Sequence, residues 1–260
     1  MLFPYDRYET LAAPLSGYYP AGEEDLARQI RQIVDRAAQS LATLLELPVP
    51  ALNILLVDAD DWQLAPHDEE EEIPYLHPYW TEATSPPSIV VPTEIDPIFG
   101  EITQEKLSFM LYQAVTLALL EADPRPWPED YPLWADEWQV KFAALWLSHT
   151  LDGQSGVVSA DLIQEYAYIF EPEPDGKTPD TIRGFDWYED TPPEAYLCYE
   201  LLLEQLAADL LSHYDSSILP RFLVSYRAQH TILLSDDVTA MLASALGRGG
   251  AEWLENLVYF

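Results

Sequence analysis

Residues 107–139 read LSFMLYQAVTLALLEADPRPWPEDYPLWADEWQ and contain two predicted helices with a break between them. The break follows from four prolines, because proline donates no backbone hydrogen bond and cannot continue a helix. These prolines are Pro124, Pro126, Pro128 and Pro132. Residues 103–121 before the break and residues 133–150 after it are apolar enough to pack in a core. The stretch therefore predicts a helix, a stiff irregular linker and a second helix.

The segments around this stretch indicate the fold class. Residues 23–46 repeat apolar side chains at helical spacing, and the short apolar runs 52–57 and 88–91 predict two strands. Prolines bracket the second strand and favour a position at the edge of the sheet, where a missing N–H is tolerated. Further helices are predicted over residues 159–170, 194–213, 217–230, 235–246 and 251–260. A sheet near the N-terminus followed by a helical half is an α+β arrangement.

The composition restricts the kinds of partner. The chain has 260 residues, of which 48% are hydrophobic, and a formal net charge of −33 at pH 7. This charge repels phosphate backbones and anionic lipid surfaces, so we expect neither nucleic acid nor a membrane as a partner. A basic protein or a cationic ligand would be attracted. Acidic residues concentrate in the run 68–72, which predicts an exposed loop, and in 171–193, which predicts a mobile insert.

Targeting signals and cysteine usage indicate a cytoplasmic protein. The start, MLFPYDRYET, has no basic region followed by a long apolar run, so we expect no signal peptide. No apolar segment reaches the roughly 18 residues needed to span a bilayer. Cys198 is the only cysteine, which excludes an intramolecular disulfide. Its apolar neighbours Leu197 and Leu201 favour a buried, unreactive thiol.

Three phrases together resemble one enzyme family. They are SIVVP at residues 88–92, YQAVT at 112–116 and PLWADEW at 132–138. Their order and spacing resemble the gluzincin superfamily of zinc metallopeptidases, the thermolysin- and aminopeptidase-like group. The resemblance implies a zincin-like α+β fold with a small mixed or antiparallel sheet. It implies an N-terminal part, residues 1–122, and a mainly helical part, residues 123–260, in one compact unit with a cleft between them.

The resemblance also implies the place of the active site. In the family a helix carrying HExxH holds zinc through two histidines one turn apart, with the glutamate as general base. Tyr112 and Thr116 stand at the histidine positions, and Gln113 stands at the position of the base. Glu137 stands where a glutamate on the next helix is the third ligand. Tyr196, in PPEAYLCYELLLEQL, matches a tyrosine that stabilises the oxyanion in such enzymes.

The replaced residues cannot perform zinc peptidase chemistry. A tyrosine must lose a proton with an ordinary pKa near 10 before it binds zinc well, and a threonine hydroxyl is a poor zinc ligand. Gln113 cannot accept a proton at neutral pH. We therefore expect no metal and no cofactor, with Tyr112, Gln113 and Thr116 hydrogen-bonded to one another or to Glu137. The resemblance then implies a non-catalytic, degenerate peptidase-like protein that binds a polypeptide or another ligand in the remnant cleft, or has a structural role.

Two other functions agree with the same residues. The first is a working hydrolase that uses carboxylates such as Glu121, Asp136 or Glu137. The second is an acidic interaction module that captures a basic partner. The five histidines show no pair at the spacing of helical metal ligands. The pattern does not indicate an oligomeric state.

Overall fold

The computed structural model describes residues 3–11, 15–68, 75–170, 181–185 and 191–260. The chain divides into two compact units, Met1–Ala122 with Thr150–Gly153, and Asp123–His149 with Gln154–Phe260. A small sheet lies in the first unit and most helices lie in the second, so the predicted α+β class is confirmed. Most of the predicted acidic loop 68–72 and most of the predicted insert 171–193 lie outside the described residues.

The first unit is built on a five-stranded mixed sheet. Its strands are β1 (Glu9–Leu11), β2 (Ser16–Tyr19), β3 (Asn53–Val57), β4 (Tyr79–Thr81) and β5 (Ser88–Pro92). The order across the sheet is β1-β2-β3-β5-β4. The inner pairs β2–β3 and β3–β5 are parallel, and the outer pairs β1–β2 and β4–β5 are antiparallel. Of the three inner strands, β3 and β5 are almost wholly buried, which explains their continuous apolar sequences.

The predicted edge position of the strand at residues 88–91 is wrong. β5 pairs with β3 on one side and with β4 on the other, so it is an inner strand. The edge on that side is β4, a three-residue strand from an aromatic and proline-rich segment that carries no periodic signal. Pro92 is tolerated because it is the last residue of β5.

Two helices, α1 (Glu24–Leu45) and α2 (Gln104–Glu121), pack against each other in the first unit. α1 ends at Glu46, whose left-handed conformation, with φ of 56°, stops the helix as a glycine usually does. α2 begins at Thr103, whose hydroxyl accepts a hydrogen bond from the Lys106 N–H. The ammonium of Lys106 is buried and donates to the Phe99 carbonyl over 3.0 Å. α2 also contacts β4 and β5, which fixes the helix that carries YQAVT.

The second unit is helical in its described part. Its helices are α3 (Trp134–Leu147), α4 (Ala160–Glu165), α5 (Pro193–His213), α6 (Ile218–Tyr226), α7 (Ser235–Leu246) and α8 (Gly250–Glu255). α3 packs mainly against α5, and α6, α7 and α8 pack in succession. The Trp138 and Phe222 rings meet edge to face with centroids 4.9 Å apart, which joins α3 to α6 in the core. None of the helices described in either unit is long and apolar enough to cross a membrane.

Two irregular segments of the second unit are fixed by specific contacts. In the proline-rich linker, the Arg227 guanidinium lies 3.2 Å from the centroid of the Trp127 ring, a cation–π contact. In residues 181–185, the Ile182 side chain is fully buried and its N–H donates to the Tyr259 carbonyl over 3.0 Å. Arg183 forms an ion pair with Asp236. The segment 181–185 is therefore tied to the last residues of the chain and to the start of α7.

Candidate functional site

The YQAVT face of α2 is engaged in hydrogen bonds within the first unit. The Tyr112 side chain is almost fully buried and its hydroxyl donates to Asp152 Oδ2 over 2.8 Å. The Thr116 hydroxyl donates to the Tyr112 carbonyl over 2.7 Å, a bond within the helix itself. Thr116 therefore bonds to Tyr112 through the backbone carbonyl, and the two hydroxyls have different acceptors. Gln113 lies on the same helix and is half-buried.

This face does not fit a zinc ion. Burial, and then the neighbouring Asp152 carboxylate, raise the pKa of Tyr112 well above its ordinary value of 10. A phenol that holds its proton so firmly is a poor ligand, and Thr116 offers only a hydroxyl. Within the described ranges, no group of three or more His, Cys, Asp or Glu side chains is placed to hold a metal ion. The residues present thus do not match the ion that the resemblance implies.

The second unit contains a cluster of ionisable and aromatic side chains where α3 and α5 pack together. α3 contributes Glu137 and, one turn later, Lys141, and α5 contributes Tyr196, Tyr199 and Glu200. We call these five residues the Glu137 cluster. The i,i+4 spacing places Glu137 and Lys141 on one face of α3, and Tyr196 and Glu200 on one face of α5. Two regular helices therefore hold the whole set.

Direct contacts join the two helices at this cluster. The Tyr196 hydroxyl donates to Glu137 Oε1 over 3.4 Å, a long hydrogen bond. The Lys141 ammonium forms an ion pair with Glu200. The Lys141 side chain is 8% exposed and that of Glu200 is 23% exposed, so solvent reaches the cluster mainly on the Glu200 side. A buried pair of this kind costs desolvation and persists because each charge neutralises the other.

The Glu137 carboxyl and the Tyr199 hydroxyl are buried next to each other. Glu137 Oε2 and the Tyr199 hydroxyl are shielded from solvent, and Tyr199 is 1% exposed. A hydrogen bond between the two side chains lowers the pKa of Glu137 and raises that of Tyr199. Each group therefore provides a partner that bulk water does not supply at this depth.

The surroundings of Glu137 disfavour its ionised form. Burial, followed by the Glu200 and Asp136 charges, raises the pKa of Glu137 from 4.5 to about 8, against smaller opposing effects of Tyr199 and Lys141. Its carboxyl group is therefore mostly protonated at neutral pH. The Glu200 charge and then burial raise the pKa of Tyr196 well above 10. Burial and then Glu137 raise the pKa of Tyr199, so both tyrosines stay neutral.

Aromatic rings cover one side of the cluster. The Phe185 ring stacks on the Tyr199 ring with centroids 4.2 Å apart and planes 11° apart. The Tyr196 ring lies 6.1 Å from Tyr199 and 6.4 Å from Phe185. Phe185 ends the segment 181–185, which Ile182 and Arg183 fix in place. Nothing in the sequence around Phe185 indicates a neighbour on α5.

The structure brings together only some of the candidates from the sequence. Glu137 and Tyr196 are in direct contact, and the charge of Asp136 acts on both. Glu121 is exposed at the end of α2 in the first unit. Cys198 is half-buried rather than buried, and burial raises the pKa of its thiol.

Sequence reasoning missed Lys141, Tyr199 and Glu200. The repeated i,i+4 spacing of Glu137 with Lys141 and of Tyr196 with Glu200 was a usable signal for two of them. No protein-family model matches the chain, and a search of curated proteins also found no match.

Proposed function

We propose that this protein is a non-catalytic relative of zinc metallopeptidases that binds a polypeptide. The observation that carries the proposal is the environment of Glu137, at the position where the resemblance puts the third zinc ligand. Its carboxyl group accepts a hydrogen bond from Tyr196, and burial with the Glu200 and Asp136 charges raises its pKa. Among the described residues no trio of His, Cys, Asp or Glu side chains is placed to hold a metal ion, so this carboxyl group lacks the partner ligands of a zinc site. The cluster therefore suits hydrogen bonding and charge recognition better than metal chemistry.

The first unit supports the same proposal. Tyr112 donates to Asp152 and Thr116 donates to its own helix, so both hydroxyls take part in structural hydrogen bonds. The mixed sheet, with α2 packed against β4 and β5, is compatible with a zincin-like arrangement. The charge of −33 favours a basic polypeptide over an acidic one.

A gain-of-function experiment tests the relationship to zinc peptidases. The triple substitution Tyr112→His, Gln113→Glu and Thr116→His restores HExxH. Zinc content is measured by plasma mass spectrometry after dialysis, with circular dichroism to verify folding. We expect negligible zinc in the wild-type protein and about one zinc per chain in the folded triple variant.

Two results would contradict the proposal. Stoichiometric zinc in the wild-type protein would exclude a degenerate site. A correctly folded triple variant without zinc would exclude the relationship to gluzincins. Peptide binding is tested separately by incubating the protein with a tryptic digest of casein and recovering the bound peptides by gel filtration. We expect intact peptides in the protein fraction, whereas new cleavage products would indicate an active peptidase.

A carboxylate-based hydrolase is the second candidate, and one observation favours it. Glu137, whose pKa burial raises to about 8, lies beside the lysine-paired Glu200, so two carboxyl groups stand close together in different surroundings, one of them suited to act as an acid. If this candidate is correct, the wild-type protein hydrolyses a member of an ester, glycoside and peptide panel, and Glu137→Gln lowers that rate at least about 100-fold. Equal rates for the wild-type protein and the variant would exclude Glu137 as the acid.

A further inference from the structure

We infer that an exposed apolar pair in the second unit, Ile232 and Leu234, docks a basic, extended polypeptide segment that carries two apolar side chains. This inference rests on the proposed binding of a polypeptide and assigns that polypeptide a surface and a chemistry. We call the pair, together with four exposed acidic residues that adjoin it, the Ile232 surface. These acidic residues are Glu129, Asp130, Asp236 and Asp237.

The apolar pair is presented to solvent by the segment between α6 and α7. Ile232 is 60% exposed and Leu234 is 68% exposed, whereas Leu233 between them is 6% exposed. This alternation is that of an extended chain, and the backbone of Leu234 is extended, with φ of −88° and ψ of 162°. Ile232 and Leu234 therefore lie on the same side of the segment, roughly 7 Å apart along it. Leu233 anchors the segment in the core, so the pair stands on a fixed backbone.

The backbone of this segment has an open edge. Ile232 forms a parallel bridge with Asp130, in which the Leu233 N–H donates to the Asp130 carbonyl over 2.8 Å. The N–H and carbonyl of Ile232 itself point to the opposite side, where no backbone hydrogen bond of the described residues engages them. An extended chain adds to such an edge through main-chain hydrogen bonds and brings its alternate side chains against those of its neighbour. The edge therefore favours an extended polypeptide as the ligand.

Carboxylates adjoin the apolar pair on both sides. Asp130 bridges to the segment and Glu129 precedes it in the chain, while the Asp237 carboxylate accepts the Leu234 N–H over 2.9 Å. All three acidic residues are exposed. Lysine or arginine side chains that flank the apolar residues of a ligand would therefore meet opposite charges at both ends of the pair.

The basic groups near this surface do not cancel its charge. Arg183 forms an ion pair with Asp236, so these two charges neutralise each other. Arg227 is 2% exposed, and its guanidinium stacks on a tryptophan ring of the proline-rich linker. His230 is exposed, but one imidazole is outnumbered by three carboxylates. The same acidic charge disfavours a second copy of this chain, whose net charge is also −33.

Fluorescence anisotropy with three labelled heptapeptides tests this inference. The first, Lys-Lys-Ile-Lys-Ile-Lys-Lys with blocked ends, places two isoleucines at the spacing of the apolar pair. We expect it to bind the wild-type protein with a Kd of about 10–100 μM at roughly 50 mM NaCl. Replacement of both isoleucines by serine keeps the charge and should weaken binding at least about tenfold. Replacement of all lysines by glutamate should abolish binding, because the charges then repel.

Matched variants of the protein locate the binding surface. Ile232→Ser and Leu234→Ser should each weaken binding of the first peptide about five- to tenfold, and serine at the N-cap position 234 also favours the start of α7. Val49→Ser is the control, because Val49 is an aliphatic residue that is 47% exposed in the first unit, and it should leave the Kd unchanged. Glu129→Gln should weaken binding about two- to threefold, whereas Glu101→Gln removes an equal exposed charge from the first unit and should have no effect.

Four outcomes would overturn the inference. They are equal binding of the isoleucine and serine peptides, absence of binding by the isoleucine peptide up to roughly 1 mM, equal effects of Leu234→Ser and Val49→Ser, and a dimer of the wild-type protein that Leu234→Ser dissociates. The last outcome, measured by analytical ultracentrifugation, would assign the surface to a second copy of the chain. Circular dichroism and the thermal midpoint verify that each variant is folded.

The two proposals can fail separately. If casein peptides bind equally well to the wild-type protein and to the double variant Ile232→Ser with Leu234→Ser, polypeptide binding stands and the assigned surface is wrong. If the wild-type protein carries stoichiometric zinc, the proposed function is wrong whatever the heptapeptides do.

Discussion

Glu137→Gln should change how the stability of the protein depends on pH. Glutamine has nearly the same shape as a protonated glutamic acid but cannot ionise. Burial and the Glu200 and Asp136 charges raise the pKa of Glu137 in the folded protein to about 8, against an ordinary value of 4.5. The folded protein therefore keeps the proton of the Glu137 carboxyl group up to a higher pH than the unfolded chain does.

The direction of the effect follows from this proton. Below pH 4.5 both states are protonated at Glu137, and the carboxyl group contributes its full stability. As pH rises from 4.5 to 8, ionisation of Glu137 lowers the free energy of the unfolded state but not that of the folded state. The free energy of unfolding therefore falls. Above about pH 8 both states are ionised and the loss is complete. Between about pH 5.5 and pH 8.5 the loss amounts to about 3 kcal/mol.

The measurement is urea-induced unfolding, followed by tryptophan fluorescence, at about pH 5.5, pH 7 and pH 8.5. The free energy of unfolding of Glu137→Gln minus that of the wild-type protein should already be about 1.4 kcal/mol at the lowest pH, which lies above the ordinary pKa of 4.5. It should rise by about 3 kcal/mol at the highest. Repulsion within a chain of net charge −33 also changes with pH, but it acts on both proteins and cancels in the difference.

Glu129→Gln is the matched control. Glu129 is exposed in the proline-rich linker, so its replacement removes the same charge without affecting the cluster. Its difference from the wild-type protein should stay constant within about 0.5 kcal/mol over the pH range. If Glu137→Gln gives the same flat result, Glu137 is ionised at neutral pH and its pKa is not raised by its surroundings.

Three further substitutions test the structure by urea-induced unfolding at neutral pH. Tyr112→Phe removes the hydroxyl that donates to Asp152 and should cost about 1–2 kcal/mol; no change would show that the bond is not made. Glu204→Ala removes a buried carboxylate that accepts the backbone N–H groups before α4 over 2.5 and 2.8 Å, and should cost about 2 kcal/mol. If Glu204→Ala lowers the free energy of unfolding by less than the same substitution at an exposed glutamate does, the assigned hydrogen bonds are contradicted. Gly17→Ala places a Cβ 2.8 Å from the Ile54 carbonyl oxygen and should cost about 1–3 kcal/mol, whereas a neutral result would show that β2 and β3 separate easily.

The long helices and the two buried strands β3 and β5 were predictable because their signals are local. The predicted helix 23–46 is observed as Glu24–Leu45, and the predicted helix 103–121 as Gln104–Glu121. The strand at 88–91 is observed as Ser88–Pro92. In each case the apolar spacing and the flanking prolines or caps lie within the segment itself. The helix at 133–150 ends earlier, at Leu147, and continues as a π-helical turn over Ser148–Asp152.

The rest of the sheet was not predictable from local signals. β1, β2 and β4 have three or four residues each, and their sequences alternate too briefly to indicate a strand. Their pairing decides the topology, including the inner position of β5. Pairing depends on residues far apart in the chain, such as Leu55 and Val90, which local patterns do not connect.

The candidate site was likewise predictable only where its residues carry a local sequence signal. Glu137 and Tyr196 could be named from the sequence because they occupy positions in a resembling phrase. Lys141 and Glu200 pair across two helices, and a chain of 45 acidic residues gives no reason to choose one glutamate for one lysine. The pKa of Glu137 is likewise set by its burial between helices and by the Glu200 charge. None of these properties belongs to a single segment.

The burial of lysines has a practical consequence for probing the folded state. The chain has three lysines, and the two in the described part, Lys106 and Lys141, are 4% and 6% exposed. Amine-directed reagents require a free, deprotonated amine in contact with solvent, and a buried ammonium engaged by Phe99 or Glu200 meets neither condition. Acylation of these two side chains, located by mass spectrometry, would therefore report the local opening of each unit separately. Lys106 would report opening of the first unit, which contains the sheet, and Lys141 would report opening of the helical second unit.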